Sequence, residues 1–197
     1  MIRPFICTCD KRIKTFKRFV NSYNTNAKQY LLPPIVYYDG EDEYYHRLID
    51  SMDPALKIKQ KLFPEEKFGP YSSTIDYKAI WEFPRIIKEQ FSSEKILFLE
   101  DDILFSSKFS KAILEVEKQM DSYHVVDLVT LYGSGDCYWP INNNKAGHPI
   151  YRFSGTDYYG NLAVAFSPKT MSWWYDNRDK IWNNEYSGWD IKIGNIF

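Results

Sequence analysis

One run of residues constrains the fold of this chain more than any other. Four apolar residues, Ile96 to Leu99, lead directly into three acids, Glu100 to Asp102. An uninterrupted apolar run is typical of a strand that is buried on both faces of a parallel sheet. Carboxylates cannot be buried without partners, so we expect the acids at the end of that strand, facing water or a cation. Ligands of such sheets bind outside the carboxyl ends of the strands, and a functional site is therefore expected here.

Strands and helices alternate along the rest of the chain. Besides the strand at 96–99, strands are predicted at 2–8, 34–38, 125–131, 150–153 and 162–166. Helices are predicted from residue 13, over 73–92, after Ser106 or Ser107, and from Pro168, while residues 41–70 are expected to be irregular or partly helical. This order predicts an α/β protein with a mostly parallel central sheet of about six strands, flanked by helices.

Composition limits the binding partners and the cellular location that we expect for this chain. With 25 Lys and Arg against 26 Asp and Glu, the formal net charge of -1 gives no broad attraction to nucleic acid. No apolar run is long enough to predict a membrane span. The three cysteines lack the spacing of zinc ligands or of a disulfide framework, which favours a reducing, cytoplasmic location. At 197 residues the chain is expected to form a single domain.

The acid cluster has two interpretations from the residues alone. Mg²⁺ or Mn²⁺ is commonly held by one or two carboxylates, with waters and phosphate oxygens completing its shell, so the cluster suits a metal held against a diphosphate. Alternatively, the acids form a solvated turn that stabilises the N-terminus of the next helix through its dipole. The buried-strand pattern that precedes the acids favours the metal interpretation.

The run from Phe98 to Ile103, followed by Phe105 and Phe109, resembles a known motif. It is similar to the acidic metal-binding motif, DXD or its EDD variant, of GT-A-fold glycosyltransferases that use nucleotide sugars. The resemblance implies that residues 1–197 form a single domain with a Rossmann-like GT-A fold, and that Mn²⁺ or Mg²⁺ is the cofactor. It also implies Asp102 as the direct metal ligand, Asp101 as a ribose or second metal contact, and Glu100 as a supporting group.

The same resemblance implies nucleotide-binding and sugar-binding roles elsewhere. The family's first strand-loop holds the nucleotide, and Thr8 and Arg12 are the matching donors here. Asp39 is placed to accept a hydrogen bond from a uracil N–H, Lys78 to reach the diphosphate, and Asp157 to bind sugar hydroxyls. Each position also has an ordinary structural explanation, as a strand residue, a solvent-facing helix residue or a turn.

Trp189 and Asp190 resemble the late segment of the family, where an aromatic residue walls the acceptor site and an acid lies opposite the donor sugar. Asp190 is therefore the catalytic candidate. In an inverting mechanism it would accept the proton of the acceptor hydroxyl, and in a retaining one it would orient sugar hydroxyls or stabilise charge at the anomeric carbon. A helix-terminal acid beside a core tryptophan is the structural alternative.

Many family members add a late histidine to the metal shell, and neither His124 nor His148 matches it. We expect water to fill that place, or the chain to be the N-terminal domain of a longer protein. Compact relatives of this kind occur in bacteria and in large DNA viruses of algae, so a viral protein acting in the host cytoplasm is one expectation.

The resemblance thus implies an enzyme that moves a sugar from a UDP-sugar donor to a carbohydrate or glycoprotein acceptor. Two alternatives stay open. One is a non-catalytic sugar or nucleotide-sugar binding module, using aromatic residues that make up 18% of the chain. The other is a metal-dependent nucleotidyl- or phosphotransferase that uses the same carboxylates, and the absence of a P-loop sequence weakens it.

Overall fold

The structure is a computed structural model, and it describes residues 1–59, 81–122, 128–130, 139–143, 149–152 and 163–183. The strands within these ranges are β1 Arg3–Cys9, β2 Ile35–Asp39, β3 Leu56–Lys59, β4 Ile96–Glu100, β5 Leu128–Thr130, β6 Trp139–Asn143, β7 Pro149–Arg152 and β8 Ala163–Phe166. The α-helices are α1 Ile13–Asn26, α2 Glu43–Asp50, α3 Phe83–Gln90, α4 Phe109–Ser122 and α5 Pro168–Trp182. Among these helices, none combines the length and the apolar character of a membrane span.

Six strands form the central sheet in the order β3-β2-β1-β4-β8-β5. β1 pairs in parallel with β2 and with β4, and β2 pairs in parallel with β3. β8 is antiparallel to both of its neighbours, so five of the six strands point in the same direction. The predicted mostly parallel α/β sheet is confirmed. The carboxyl ends of β1, β2 and β4 consequently meet at one edge, which is where the site lies.

Two helical layers cover the two faces of this sheet. Successive side chains of β4 alternate between them: Leu97 and Leu99 pack into a core with α1, α2 and α4, whereas Ile96 and Phe98 pack into a second core with α3 and α5. All four side chains are fully buried. The apolar run before the acids is therefore a strand buried on both faces, as predicted.

Two predictions about strands were wrong. β3 lies within residues 41–70, which were expected to be irregular or partly helical. The predicted strand at 150–153 exists as β7, but it pairs with β6, which was not predicted, in a separate two-stranded sheet. The central sheet still has six strands, with β3 taking the place expected for β7.

The sequence predicts a serine cap at the start of two helices, α4 and α5. α5 begins at Pro168, and the Ser167 hydroxyl accepts a hydrogen bond of 3.1 Å from the Thr170 backbone N–H. Before α4, the Ser106 hydroxyl accepts a hydrogen bond of 3.2 Å from the Lys108 backbone N–H. Ser167 therefore caps α5 by providing an acceptor for a backbone donor that lacks an intrahelical partner. The Ser106 bond instead forms a turn ahead of α4, which begins at Phe109.

Candidate functional site

The candidate site forms where β1 and β4 end side by side. β1 pairs with β4 in parallel register, with Cys7 opposite Glu100. Beyond Cys9 the chain enters a short 3-10 helix, Asp10–Arg12, and beyond Glu100 it enters the turn that carries Asp101 and Asp102. Residues separated by about ninety positions in sequence are thereby brought into hydrogen-bonding contact.

Asp101 is the buried member of the acid cluster, with a relative exposure of only 2%. Its Oδ2 accepts a hydrogen bond of 2.8 Å from the Thr8 hydroxyl, and its Oδ1 lies 3.1 Å from Arg12 Nη1. Burial raises the pKa of Asp101, while the Thr8 hydrogen bond and the Arg12 charge offset this only in part. Asp101 is therefore a carboxylate fixed in place by one donor near the end of β1, Thr8, and one in the short helix that follows, Arg12.

Asp102 is the accessible member of the cluster. Its side chain is 38% exposed, and its Oδ2 lies 2.8 Å from Arg12 Nη2. Arg12, whose side chain is 44% exposed, thus bridges the two carboxylates. Burial lowers the pKa of the guanidinium, but the charges of Asp101 and Asp102 outweigh that effect and raise it overall. These three contacting side chains, two carboxylates and one guanidinium, together carry a formal charge of about -1.

Asp39 and Glu100 are the last residues of β2 and β4, and they lie on the opposite face of the sheet from Thr8 and Asp101. Asp39 lies opposite Cys9 in the β1–β2 register, and Glu100 lies opposite Cys7. Side chains alternate along a strand, so residues two positions apart share a face. Tyr37 and Phe98 pack into the second core, which places Asp39 and Glu100 on that same face of the sheet. The structure therefore brings Thr8, Arg12, Asp101 and Asp102 into direct contact, with Asp39 and Glu100 at the same edge but facing the opposite side.

Asp10 and Gly40 contribute to this edge and were not among the predicted site residues. Asp10 Oδ2 accepts a hydrogen bond of 3.2 Å from the Glu41 backbone N–H. A Cβ at Gly40 would lie 2.7 Å from the Asp10 Cβ and Cγ, so only glycine allows this approach. The contact fastens the loop after β2 to the loop after β1. In sequence, Asp39-Gly40 is typical of an ordinary turn, and its contact with Asp10 follows only from the pairing of β1 with β2.

The remaining predicted site residues lie outside the described residues. They are Lys78, Asp157, Trp189 and Asp190, together with the two histidines considered above, His124 and His148. Their proposed roles stay predictions.

The donor chemistry of the acid cluster fits a hard divalent cation. Carboxylate oxygens are ligands that Mg²⁺ and Mn²⁺ favour, and Asp102 presents an accessible carboxylate. Within the part of the chain that the structure describes, no group of three or more His, Cys, Asp or Glu side chains is arranged to hold a metal. Asp101 and Asp102 alone would therefore leave most of a metal's coordination shell to waters and a phosphate-bearing ligand, an arrangement common for Mg²⁺.

The fold, compared with solved structures, is similar to that of several transferases. WbbM, a bifunctional glycosyltransferase, aligns with a TM-score of 0.56 at 13% identity, over 98% of this chain and 36% of WbbM. TarS of S. aureus aligns with a TM-score of 0.52 at 14% identity, over 98% of this chain and 54% of the TarS chain. A 4-diphosphocytidyl-2C-methyl-D-erythritol synthase from Anaerococcus prevotii aligns with a TM-score of 0.51 at 14% identity, over 95% of this chain and 78% of the synthase.

These similarities show that the chain has a GT-A-like α/β fold, as the sequence motif had implied. The chain spans 36% of WbbM and 54% of the TarS chain. No protein-family model matches the sequence, and a search of curated proteins finds no match.

Proposed function

We propose that this chain is a glycosyltransferase domain that transfers a sugar from a UDP-sugar to a carbohydrate or glycoprotein acceptor with the help of Mn²⁺ or Mg²⁺. The observation that carries the proposal is the contact of Asp101 and Asp102 with Thr8 and Arg12 at the carboxyl edge of a GT-A-like sheet. In open α/β sheets this edge is where phosphate-bearing ligands bind. Two of the three similar folds described above are of glycosyltransferases.

The UDP-sugar would be bound by residues on both faces of the sheet, at its carboxyl end. Arg12 carries guanidinium donors suited to phosphate oxygens, and Thr8 holds Asp101 in place beneath it. Asp39, at the end of β2, is proposed to accept a hydrogen bond from the uracil N–H. Glu100 would support the turn that presents the two aspartates. Lys78 is proposed as a further cation for the diphosphate and Asp157 as a hydrogen-bonding partner of the sugar.

Asp102 and, beside it, Asp101 would hold the divalent cation. When bound, this cation would neutralise negative charge that develops on the departing diphosphate. Asp102 is suited to this role because its carboxylate is accessible, and Asp101, which is almost fully buried, would add Oδ1, the oxygen that faces Arg12 rather than Thr8. The assignment preserves the order of roles that the sequence motif implies.

The transfer breaks the bond between the anomeric carbon of the sugar and the β-phosphate oxygen of UDP. A bond forms from the acceptor oxygen to that carbon, the acceptor hydroxyl loses its proton, and UDP leaves with the electron pair of the broken bond. Asp190 is proposed to accept the proton if the anomeric configuration is inverted, and Trp189 to wall the acceptor. If the configuration is retained, the departing β-phosphate oxygen would take that proton, and Asp190 would instead orient sugar hydroxyls or stabilise charge at the anomeric carbon.

The decisive experiment compares Asp102→Asn with the wild type. We expect UDP to bind the wild type only with Mn²⁺ or Mg²⁺ present, and the variant to lose at least about tenfold in affinity, because the substitution removes the accessible carboxylate. Isothermal calorimetry with UDP gives the binding, and release of UDP from a panel of UDP-sugars gives the activity. Asp121→Asn is the matched control, since Asp121 is an exposed acid at the end of α4 that pairs with Lys95. Equal UDP affinity without metal would refute the metal-diphosphate site.

A nucleotidyltransferase is the second candidate, and the match to the Anaerococcus synthase favours it, because this chain covers 78% of that protein. The two reactions release different products. A nucleotidyltransferase that joins a nucleoside triphosphate to a sugar phosphate releases pyrophosphate, whereas the proposed transferase releases UDP. Pyrophosphate formed from UTP and a sugar phosphate, with no UDP formed from any UDP-sugar, would favour the nucleotidyltransferase. If neither product formed while UDP-sugars still bound, the binding-module alternative would be favoured.

A further inference from the structure

We propose that Arg12 is an exchangeable internal counter-ion: it holds the Asp101–Asp102 pair together in the absence of a divalent cation and leaves the carboxylates when the cation binds them. The inference rests on the proposed function only in taking these two carboxylates as cation ligands. It makes Arg12 a positioning residue whose partner changes, rather than a permanent support of the turn.

The contacts of Arg12 place it in competition with a cation. One terminal nitrogen, Nη1, lies 3.1 Å from Asp101 Oδ1, and the other, Nη2, lies 2.8 Å from Asp102 Oδ2. The two prongs of a single guanidinium thus engage one oxygen of each carboxylate. A cation bound by both carboxylates would need the same oxygens or would have to sit against a positive charge, which Coulomb repulsion disfavours.

Local charge also favours exchange over joint binding. Two carboxylates with Arg12 sum to about -1, the same carboxylates with a divalent cation sum to about zero, and all four groups together sum to about +1. Counted over these contacting groups alone, the second state is neutral. It also releases a guanidinium beside the site, free to bind the anionic diphosphate of a donor.

The setting of Arg12 permits it to move, as a comparison with Arg3 shows. The Arg3 side chain is 11% exposed, pairs with Glu94, donates a hydrogen bond of 2.6 Å to the Pro33 carbonyl, and lies 4.7 Å over the Phe91 ring. Arg12 has none of this enclosure. Its side chain is 44% exposed, and it ends a short 3-10 helix in which no residue is buried. Arg3 is enclosed by a carboxylate, a backbone carbonyl and an aromatic ring, whereas Arg12 is held by the two carboxylates.

Asp101 stays in place without Arg12 because Thr8 still holds it. The Thr8 hydroxyl donates to Asp101 Oδ2, whereas Arg12 faces Oδ1. The guanidinium can therefore leave Oδ1 without releasing the carboxylate from Thr8, near the end of β1. The exchange therefore replaces only the positive charge that faces Asp101 Oδ1 and Asp102 Oδ2.

The test titrates Mn²⁺ alone, without nucleotide, into the wild type, Arg12→Ala and Lys11→Ala. Lys11 is the matched control because it is an exposed cation in the same short helix. We expect Arg12→Ala to bind Mn²⁺ about tenfold more tightly than the wild type, since a competing cation is gone, and Lys11→Ala to change affinity much less. Calorimetry measures the affinities. Equal or weaker binding by Arg12→Ala, or no binding by any of the three proteins, would overturn the inference.

A second measurement uses the intact wild-type protein, in case Arg12→Ala does not fold. The Nε–Hε signals of ¹⁵N-arginine are recorded by NMR during a titration with Mg²⁺, and Arg12→Lys identifies the Arg12 signal by its absence. The Arg12 signal should shift with the same midpoint as Mg²⁺ binding, while the Arg3 signal stays unchanged. An Arg12 signal that does not move while Mg²⁺ binds would show that the ion pair persists.

The two proposals fail separately. A protein that exchanges Arg12 for Mn²⁺ but releases UDP from no UDP-sugar would refute the proposed function and keep this inference. A protein that transfers sugar from a UDP-sugar, but whose Arg12 signal does not shift when Mg²⁺ binds, would support the proposed function and refute this inference.

Discussion

Asp101 and Asp102 are neighbours in sequence with opposite environments, and the difference comes from which residues face them. Asp101 turns inward against Thr8 and is 2% exposed, while the Asp102 side chain is 38% exposed. A carboxylate this deeply buried is tolerated only because donors surround it. The sequence predicted the cluster and its place at the end of a buried strand. It did not predict that Arg12, assigned to the nucleotide, would bridge the two acids, because that contact depends on β1 lying beside β4.

The Thr8 hydroxyl gives a prediction about stability and pH. Thr8→Val removes the donor to Asp101 Oδ2 with almost no change in shape, and should lower the free energy of unfolding by about 1–3 kcal/mol near pH 7. The hydrogen bond lowers the pKa of Asp101, so it favours the ionised form. The loss should therefore be largest above the folded-state pKa of Asp101 and shrink as the pH falls through it.

Urea unfolding of the wild type, Thr8→Val and Thr8→Ser at several pH values measures this effect. Thr8→Ser keeps the hydroxyl and should retain the pH dependence of the wild type, at the cost of one methyl group. A Thr8→Val deficit that is the same at every pH would mean that the hydroxyl does not discriminate between the two forms of Asp101.

Gly40 sets the distance between two elements at the site edge, the loop after β1 and the loop after β2. In Gly40→Ala the new Cβ would lie 2.7 Å from the Asp10 side chain, so one of the two loops must shift and the bond from Glu41 N–H to Asp10 is strained or lost. Forced overpacking of this kind costs about 1–3 kcal/mol. Thermal or urea unfolding of Gly40→Ala should show a loss in this range.

A double-mutant cycle identifies the cause of that loss. Asp10→Gly removes the Cβ and Cγ that Gly40→Ala would meet, so the two substitutions combined should cost clearly less than the sum of the single costs. Strictly additive costs would indicate that Gly40→Ala acts through its own backbone, whose φ is +157°, and not through Asp10.

At the level of elements, the sequence predicted β4 and β8 because their burial is visible in the pattern. β4 and β8 are continuous apolar runs, and all their residues up to the final Glu100 are buried. β3 was missed because it is an edge strand: Leu56 and Ile58 are half-buried, while Lys57 and Lys59 are exposed and end in ion pairs with acids of neighbouring segments. Two lysines in four residues resemble a solvated segment unless the pairing with β2 is known. β6 contains Pro140 and a register irregularity, which conceal a strand pattern.

The whole molecule is organised around a sheet whose strands are shared by two cores. Ile6, Val36 and Leu97 face α1, α2 and α4, while their neighbours Phe5, Tyr37 and Phe98 face α3 and α5. The site edge depends on both layers, since Thr8 and Asp101 lie on the first side and Asp39 and Glu100 on the second. Because each central strand contributes to both cores, we expect neither layer to unfold without the other.

A matched pair of substitutions tests this coupling. Ile113→Val shortens a buried side chain of α4 in the first core, and Ile86→Val does the same in α3 in the second, where their exposures are 0% and 1%. Each should lower the free energy of unfolding by about 0.5–1.5 kcal/mol. If the protein unfolds as one unit, each variant will show a single urea transition with the wild-type slope, and tryptophan fluorescence and far-UV circular dichroism will report the same midpoint. The double variant should show the sum of the two losses within about 0.5 kcal/mol, because the substitutions lie on opposite faces of the sheet. A second transition that moves with only one of the two substitutions would instead mean that one helical layer melts while the sheet and the other layer stay folded.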